Sequence, residues 1–319
     1  MYNSADGQGG AIYNAGSAML NRSSIYSNYV QGAMGILDYT GGNGLGGGIF
    51  NAGLLMVTNC TIALNSAIAG SGGRPMSAYD SGGNNGNALG GGVYNAINAT
   101  SLWMNVTIAS NFCISSGTNF VGTNGFSSGA QVANTNGVVW LHNSLLAYSG
   151  TNGNVWGTPV TDAGYNISDD GSAAFASGAS YNFTDPRLGS LDYYLGPTPC
   201  MALLPDSPAI DTGDNAGAPA TDQRGFPRPN NGVVDMGAFE FYGPSQVVYM
   251  PLMSLAPSGE NVVLSFAVNP SSSYHLQAST NLLSWQDLET NGPIAGPTNL
   301  TRTISTQGAL RQFYRVWFQ

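Results

Sequence analysis

Short alternating runs of apolar residues, each closed by a polar corner, recur along the first half of this chain. Four segments align: GGAIYNAGSAMLNRSSIYSN from Gly9, GGIFNAGLLMVTNCTIALN from Gly47, GGVYNAINATSLWMNVTIASN from Gly91, and a divergent SGAQVANTNGVVWLHNSLLAYS from Ser128. An aromatic-Asn step marks the first corner at Tyr13-Asn14, Phe50-Asn51 and Tyr94-Asn95, with Ala133-Asn134 as the weak copy. A second corner follows at Arg22, Asn59, Asn105 and Asn143, and a third at Asn28, Asn65 and Asn111. Leu55 and Val57 align with Leu102 and Met104 and then with Val139 and Leu141, while Ile25, Ile62, Ile108 and Leu146 recur. Apolar runs of period two are strands. Three strands and three corners make one triangular coil of about 20 residues, and repeats of that length stack into solenoids. The expected fold is all-β: a right-handed parallel β-helix over 1–243, followed by a small antiparallel β-sandwich over 244–319.

Stacking accounts for the composition. Equivalent residues of successive coils sit about 4.8 Å apart, the ordinary strand spacing. Asparagines at a corner then pass amide hydrogen bonds up the stack, and Asn tolerates the left-handed backbone of a sharp corner. Like charges would repel at that spacing, and only 8% of residues are charged. Glycine, 45 of 319 residues, lets backbones approach closely. The Asn-x-Ser/Thr triplets at Asn59 and Asn105 read as products of the corner pattern rather than as glycosylation sites.

Net charge is −9, and all eight basic residues are arginine. That balance argues against nucleic acid, which needs a basic stripe, and against docking on anionic lipid. No apolar run is long enough to span a membrane. The three cysteines, Cys60, Cys113 and Cys200, fit no metal spacing and read as small buried side chains. No signal peptide is visible, and 1–10 already read as mid-repeat, so the expectation is a fragment of a longer extracellular or cell-surface chain.

Three inserts separate the coils: Tyr29 to Gly46, Ser66 to Gly90 and Phe112 to Ser127. All leave from the third corner and should stack into one loop-rich face, where solenoids often bind. They carry Tyr29, Tyr39, Tyr79, Phe112, Phe120 and Phe126 in a region nearly free of charge. Rings beside Asn, Ser and Gly suit a neutral polysaccharide or cell-surface glycan, whose C–H faces stack on aromatics. The competing reading is that the rings turn inward and pin the loops.

Beyond the coils the sequence changes character. TDPRLGSLDYYLGPTPCMALLPDSPAIDTGDN (Thr184 to Asn215) and TDQRGFPRPNNGVVDMGAFEF (Thr221 to Phe241) resemble the ending of bacterial secreted β-helix proteins with choice-of-anchor domains. The GGxIYNxG…LxVTNxTIxxN repeats are similar to the same family and to polymorphic outer-membrane and autotransporter-like β-helices. That resemblance implies a secreted or surface-anchored protein. YHLQASTNLLSWQDL and FYRVWF resemble C-terminal β-sandwich modules on secreted proteins of planctomycete- and verrucomicrobia-like bacteria. Physically, the region 184–243 reads as a cap over the open end of the helix. Asp211, Asp214, Asp222, Arg224, Asp235 and Glu240 gather charge there, with Asp211 or Glu240 as the expected partner of Arg224. No cofactor is expected, Ca²⁺ at Asp211 and Asp214 being the alternative.

Parallel β-helices also carry pectate-lyase-like lyases and glycoside hydrolases, but fold alone does not decide activity. Hydrolysis needs two carboxylates across the scissile bond. Asp6, Asp38 and Asp80 lie in different loops, and Asp169-Asp170 sits in a turn. A lyase base would come from Arg22 or Arg74, of which Arg22 replaces a corner Asn. His142 and His275 have no nucleophile nearby in sequence, and Trp285 reads as a core residue rather than a sugar platform. The residues favour a non-enzymatic adhesion, carbohydrate-contact or display module, with a polysaccharide-degrading enzyme as the alternative and a plain spacer as a third reading.

Overall fold

The computed structural model describes residues 5–77, 82–116, 123–243, 254–258, 261–268, 274–281, 283–291, 298–305 and 313–318. They are nearly all-β: parallel sheets in the repeats, antiparallel sheets near the C-terminus. Among the described residues, no helix is long and apolar enough to cross a membrane. The chain divides into two compact units, Met1–Leu191 with Gly196–Phe241, and Asp192–Leu195 with Tyr242–Gln319.

In the first unit the repeats stack their strands into four parallel ladders. One ladder stacks Gly7–Gln8, Gly44–Leu45, Ala88–Leu89 and Ser127–Ser128. The next stacks Ile12–Asn14, Ile49–Asn51, Val93–Asn95, Val132–Asn134 and Val155–Gly157. The widest is built on Leu54–Ala63 and Thr100–Ala109, flanked by the shorter strands of the outer repeats. The last stacks Tyr29–Gln31, Ser66–Ile68 and Phe112–Ile114. The first and last ladders lie at the two ends of the inserts. The inserts are therefore not loops throughout, and the strands per repeat exceed the three expected. Between those strands the inserts bond to each other, as from Gly35 N to Ser71 O at 2.7 Å and Asn85 N to Thr123 O at 3.0 Å.

The amide ladder is continuous. Asn14 Nδ2 donates to Asn51 Oδ1 at 2.7 Å, Asn51 Nδ2 to Asn95 Oδ1 at 2.8 Å, and Asn95 Nδ2 to Asn134 Oδ1 at 3.0 Å, across 37, 44 and 39 residues. A second ladder runs from Asn28 through Asn65 to Asn111 at 3.0 and 2.9 Å and ends on Gln131 Oε1 at 2.6 Å. Each buried amide thus satisfies its stacked neighbour, which is how polar groups are tolerated inside. At the second corner the left-handed residues are Arg22, Asn59, Asn105 and Asn143 themselves, with φ from 49° to 52°. At the third corner the residue before each Asn takes that role: Ser27, Leu64 and Ser110. A Cβ on Gly47 would lie 2.4 Å from Gly91 O, so only glycine lets the chains approach there.

Inward residues form one apolar core: Ile49, Val93, Val132 and Val155 from one ladder, and Leu55, Val57, Ile62, Trp103, Ile108, Leu141 and Leu146 from the widest. The third repeat corrects the alignment by one residue. Leu55 pairs with Ser101 and Val57 with Trp103, not with Leu102 and Met104. A one-residue slip turns every side chain to the other face. Trp103 accordingly fills the core while Leu102 is exposed. Buried Ser101 keeps its place by donating to Asn95 Oδ1 at 2.9 Å.

The second unit contains two antiparallel three-stranded sheets. Ser254–Ser258, Asn261–Val268 and Thr298–Ser305 make one. Gln286–Asn291, Tyr274–Ser279 and Phe313–Phe318 make the other. Leu264 and Phe266 of the first sheet and Tyr274 and Leu276 of the second belong to one buried cluster.

Candidate functional site

Strand alternation decides which rings face outward. In Tyr29–Gln31, Ser66–Ile68 and Phe112–Ile114 the middle residues Val30, Ala67 and Cys113 are buried together. Their neighbours point the other way, so Tyr29 is 67% and Phe112 43% exposed. Tyr39 and Phe126 are 38% and 45% exposed. Tyr79 and Phe120 lie outside the described residues. The four described rings are therefore not pinned under their loops, but they do not form one group. Tyr29 and Phe112 share a ladder with Ser66 between them. Phe126 tilts against Trp156 at 5.4 Å.

A second aromatic array stands on the adjacent ladder. Tyr13, Phe50 and Tyr94 are register partners, and their rings stack face to face at 5.2 Å, with interplanar angles of 4° and 14°. The aromatic-Asn step was the sequence signal for it: Asn turns into the corner, so the preceding ring must turn out. Phe50 is buried between its neighbours, and Tyr13 leaves one face open.

The charged C-terminal segment does not sit over the end of the ladders. It crosses their flank along the second corner. Arg22 Nε donates to Gln223 O at 3.3 Å in the first repeat, and Asn59 Nδ2 to Thr221 O at 2.6 Å in the second. Asn105 Nδ2 donates to Asp235 O at 3.1 Å in the third, and Asn143 Nδ2 to Asp214 O at 2.9 Å in the fourth. Between these corner amides Asn143 Nδ2 reaches Asn105 Oδ1 only at 3.4 Å, and the segment takes up all three like a strap. Asn59 and Asn105 are buried under it, which excludes them as glycosylation sites in the folded chain.

Inside the strap the pairing differs from expectation. Arg224 pairs with Asp222, its Nη2 2.7 Å from Oδ2, with both side chains fully buried. Its guanidinium lies between the rings of Phe226 and Phe239, at 4.4 and 3.6 Å. Glu240 is instead paired with Arg228 at 3.0 Å, while Arg224 reaches only the Glu240 carbonyl, at 2.6 Å. The cluster holds three carboxylates, Asp222, Asp235 and Glu240, against two guanidinium groups. Burial, and then the charge of Glu240, push Asp235 up to about 7. Burial also raises Glu240, against the pull of Arg228.

Asp211 and Asp214 do not converge. The Asp211 carboxylate accepts from Asn231 Nδ2 at 3.2 Å, whereas Asp214 accepts from Ala216 N and faces His142 Nε2 at 3.5 Å. Among the described residues, no group of three or more His, Cys, Asp or Glu side chains is placed to hold a metal.

The remaining candidates are structural in their contacts. His142 is buried, with Nδ1 3.1 Å from Ala163 O. Asp170 accepts from Ser168, Ser172, Asn154 and Ser149, and these bonds outweigh burial to hold its carboxyl below the usual range. Asp169 accepts from Asn154 and Tyr148. Asp6 and Asp38 bond the backbone of Asn43 and Met76. Trp285 is half-buried, with Arg315 4.3 Å over its ring. His275 meets Thr290 at 3.0 Å. Compared with known proteins, the chain matches no family model and no curated protein sequence.

Proposed function

We propose that the chain is a non-enzymatic secreted or cell-surface protein that contacts neutral polysaccharide through outward aromatic rows. Its ladders would wind as a right-handed parallel β-helix, followed by a β-sandwich module. In-register pairing of successive repeats supports the winding, and parallel crossovers are right-handed almost without exception. The extracellular location rests on the sequence resemblance to choice-of-anchor and autotransporter-like β-helices.

The observation that carries the ligand is the outward placement of Tyr29, Tyr39, Phe112 and Phe126 on charge-poor surface. Aromatic faces there offer stacking to sugar C–H groups. The carboxylates in this unit support binding over hydrolysis: Asp162, Asp170, Asp222 and Glu240 are each engaged by several donors or an arginine. The test is a glycan-array screen of the whole chain, with reducing-end release measured on every polysaccharide bound. Binding to neutral polysaccharide without release is expected. Release of reducing ends would turn the reading to a lyase or glycoside hydrolase, and absence of binding would refute it.

A further inference from the structure

We infer that Tyr29, Ser66 and Phe112 form a slot that holds one uncharged pyranose ring between two aromatic faces; this rests on the carbohydrate reading above. The three residues are direct register partners on successive strands. All three alternate with buried Val30, Ala67 and Cys113, so they stand in a row on the outer face. On the neighbouring ladder, the same one-strand spacing stacks Tyr13, Phe50 and Tyr94 face to face at 5.2 Å. There the middle position is a phenylalanine and the gap is filled. Here it is a serine, whose side chain ends short of the rings.

Tyr29 and Phe112 therefore stand two strand spacings apart, about 10 Å. A ring held midway lies about 5 Å from each, which is aromatic stacking distance. The Ser66 hydroxyl at the floor can donate to or accept from a sugar hydroxyl. The adjoining outward positions Gln31, Ile68 and Ile114 add no charge. A carboxylated or phosphorylated ligand would find no cation there, so an uncharged hexose or pentose unit is the match. Neither a second copy of this chain nor an apolar peptide would need the empty middle position.

The decisive variant is Ser66→Phe. It rebuilds the filled stack of Tyr13, Phe50 and Tyr94 on this ladder, so it should keep or raise the melting temperature while closing the slot. Tyr29→Ala and Phe112→Ala remove one wall each. Binding is measured by calorimetry on the full chain, with soluble glucan, mannan and xylan as probes. Each alanine variant should lose about tenfold in affinity, the scale of one aromatic stacking contact, and Ser66→Phe should abolish binding. If Ser66→Phe folds and binds like the parent, the slot is refuted while the carbohydrate reading stands. If the parent binds none of the probes, both fall. If sedimentation shows that Tyr29→Ala or Phe112→Ala instead breaks up a dimer, the face is a self-association surface and the slot is refuted.

Discussion

Replacing Arg228 with methionine tests the strap directly. The Arg228 guanidinium is fully buried. It donates to Asp235 O at 2.9 Å, to Gly237 O at 2.8 Å and to Glu240 Oε2 at 3.0 Å. Methionine keeps most of the length and none of the donors. Glu240 is then left with the backbone amides of Asn230 and Asp235, at 2.7 and 3.0 Å. Three buried carboxylates share the one remaining guanidinium, Arg224. Breaking one partner of a buried pair costs about 3–5 kcal/mol. In a unit of this size each kcal/mol moves the melting point by about 2–4 °C, so a fall of roughly 10 °C is expected by calorimetry. Hydrogen exchange should accelerate at Gly237, whose amide donates to Asn143 O at 2.7 Å. The double variant Arg228→Met, Glu240→Leu should recover most of the loss, because an apolar pair can replace a buried ion pair. An unchanged melt for the single variant refutes the argument. A double variant no better than the single one shows that a stranded carboxylate is not the cause.

Arg224→Ala should cost about 3 kcal/mol by the same logic, since Asp222 is buried with it; a cost under 1 kcal/mol in chemical denaturation would remove it from the strap. Asn51→Ala should cost about 3 kcal/mol, because it breaks the amide ladder at a fully buried step. Asn28→Ala, at the half-buried end of the other ladder, should cost less; equal losses would mean that ladder continuity is not what matters. The folded-state pKa of Asp235, about 7, is raised above its unfolded value of about 4. Its contribution is therefore full below about pH 4 and is lost as pH rises through 7, up to about 4 kcal/mol in all. Asp235→Asn should flatten that stretch of the stability profile, and a slope unchanged by the substitution would assign it to another group.

The repeats were legible because stacking forces equal residue types onto equal positions. Ile25, Ile62, Ile108 and Leu146 are register partners as aligned, and so are the four corner asparagines. The slip at Leu102 arose where the third repeat carries extra corner residues around Asn98, which takes φ of 62°. Ser101 stands six residues after Asn95 where Leu55 stands four after Asn51, and the apolar Leu102 and Met104 invite a match one residue further on. The strap's route was not legible, since the corner amides of Asn59 and Asn105 meet it through backbone carbonyls. Carbonyls leave no mark in a sequence. Arg224 and Arg228 lie in one short string, and spacing alone could not assign their carboxylates. The exposed rings were visible as residue types, but Tyr29, Ser66 and Phe112 gain meaning only from register.

One constraint links the charge-poor ladders to the charged strap. A side chain on a ladder has its equivalent about 4.8 Å above and below, so a charge placed there meets its like. Amides and rings escape this, because each can satisfy or stack on its own copy. Asn14, Asn51 and Asn95 do the first, and Tyr13, Phe50 and Tyr94 the second. The strap is not repeated, so opposite charges can meet there, Asp222 with Arg224 and Glu240 with Arg228, beside the buried carboxyl of Asp235. Ionic strength should leave these dry pairs nearly unaffected, since screening acts on solvated charge. The same division limits what the outer ladder faces can recognise. A face poor in charge must select by stacking and hydrogen bonding, and its specificity then lies in which positions of a row are left empty, as at Ser66.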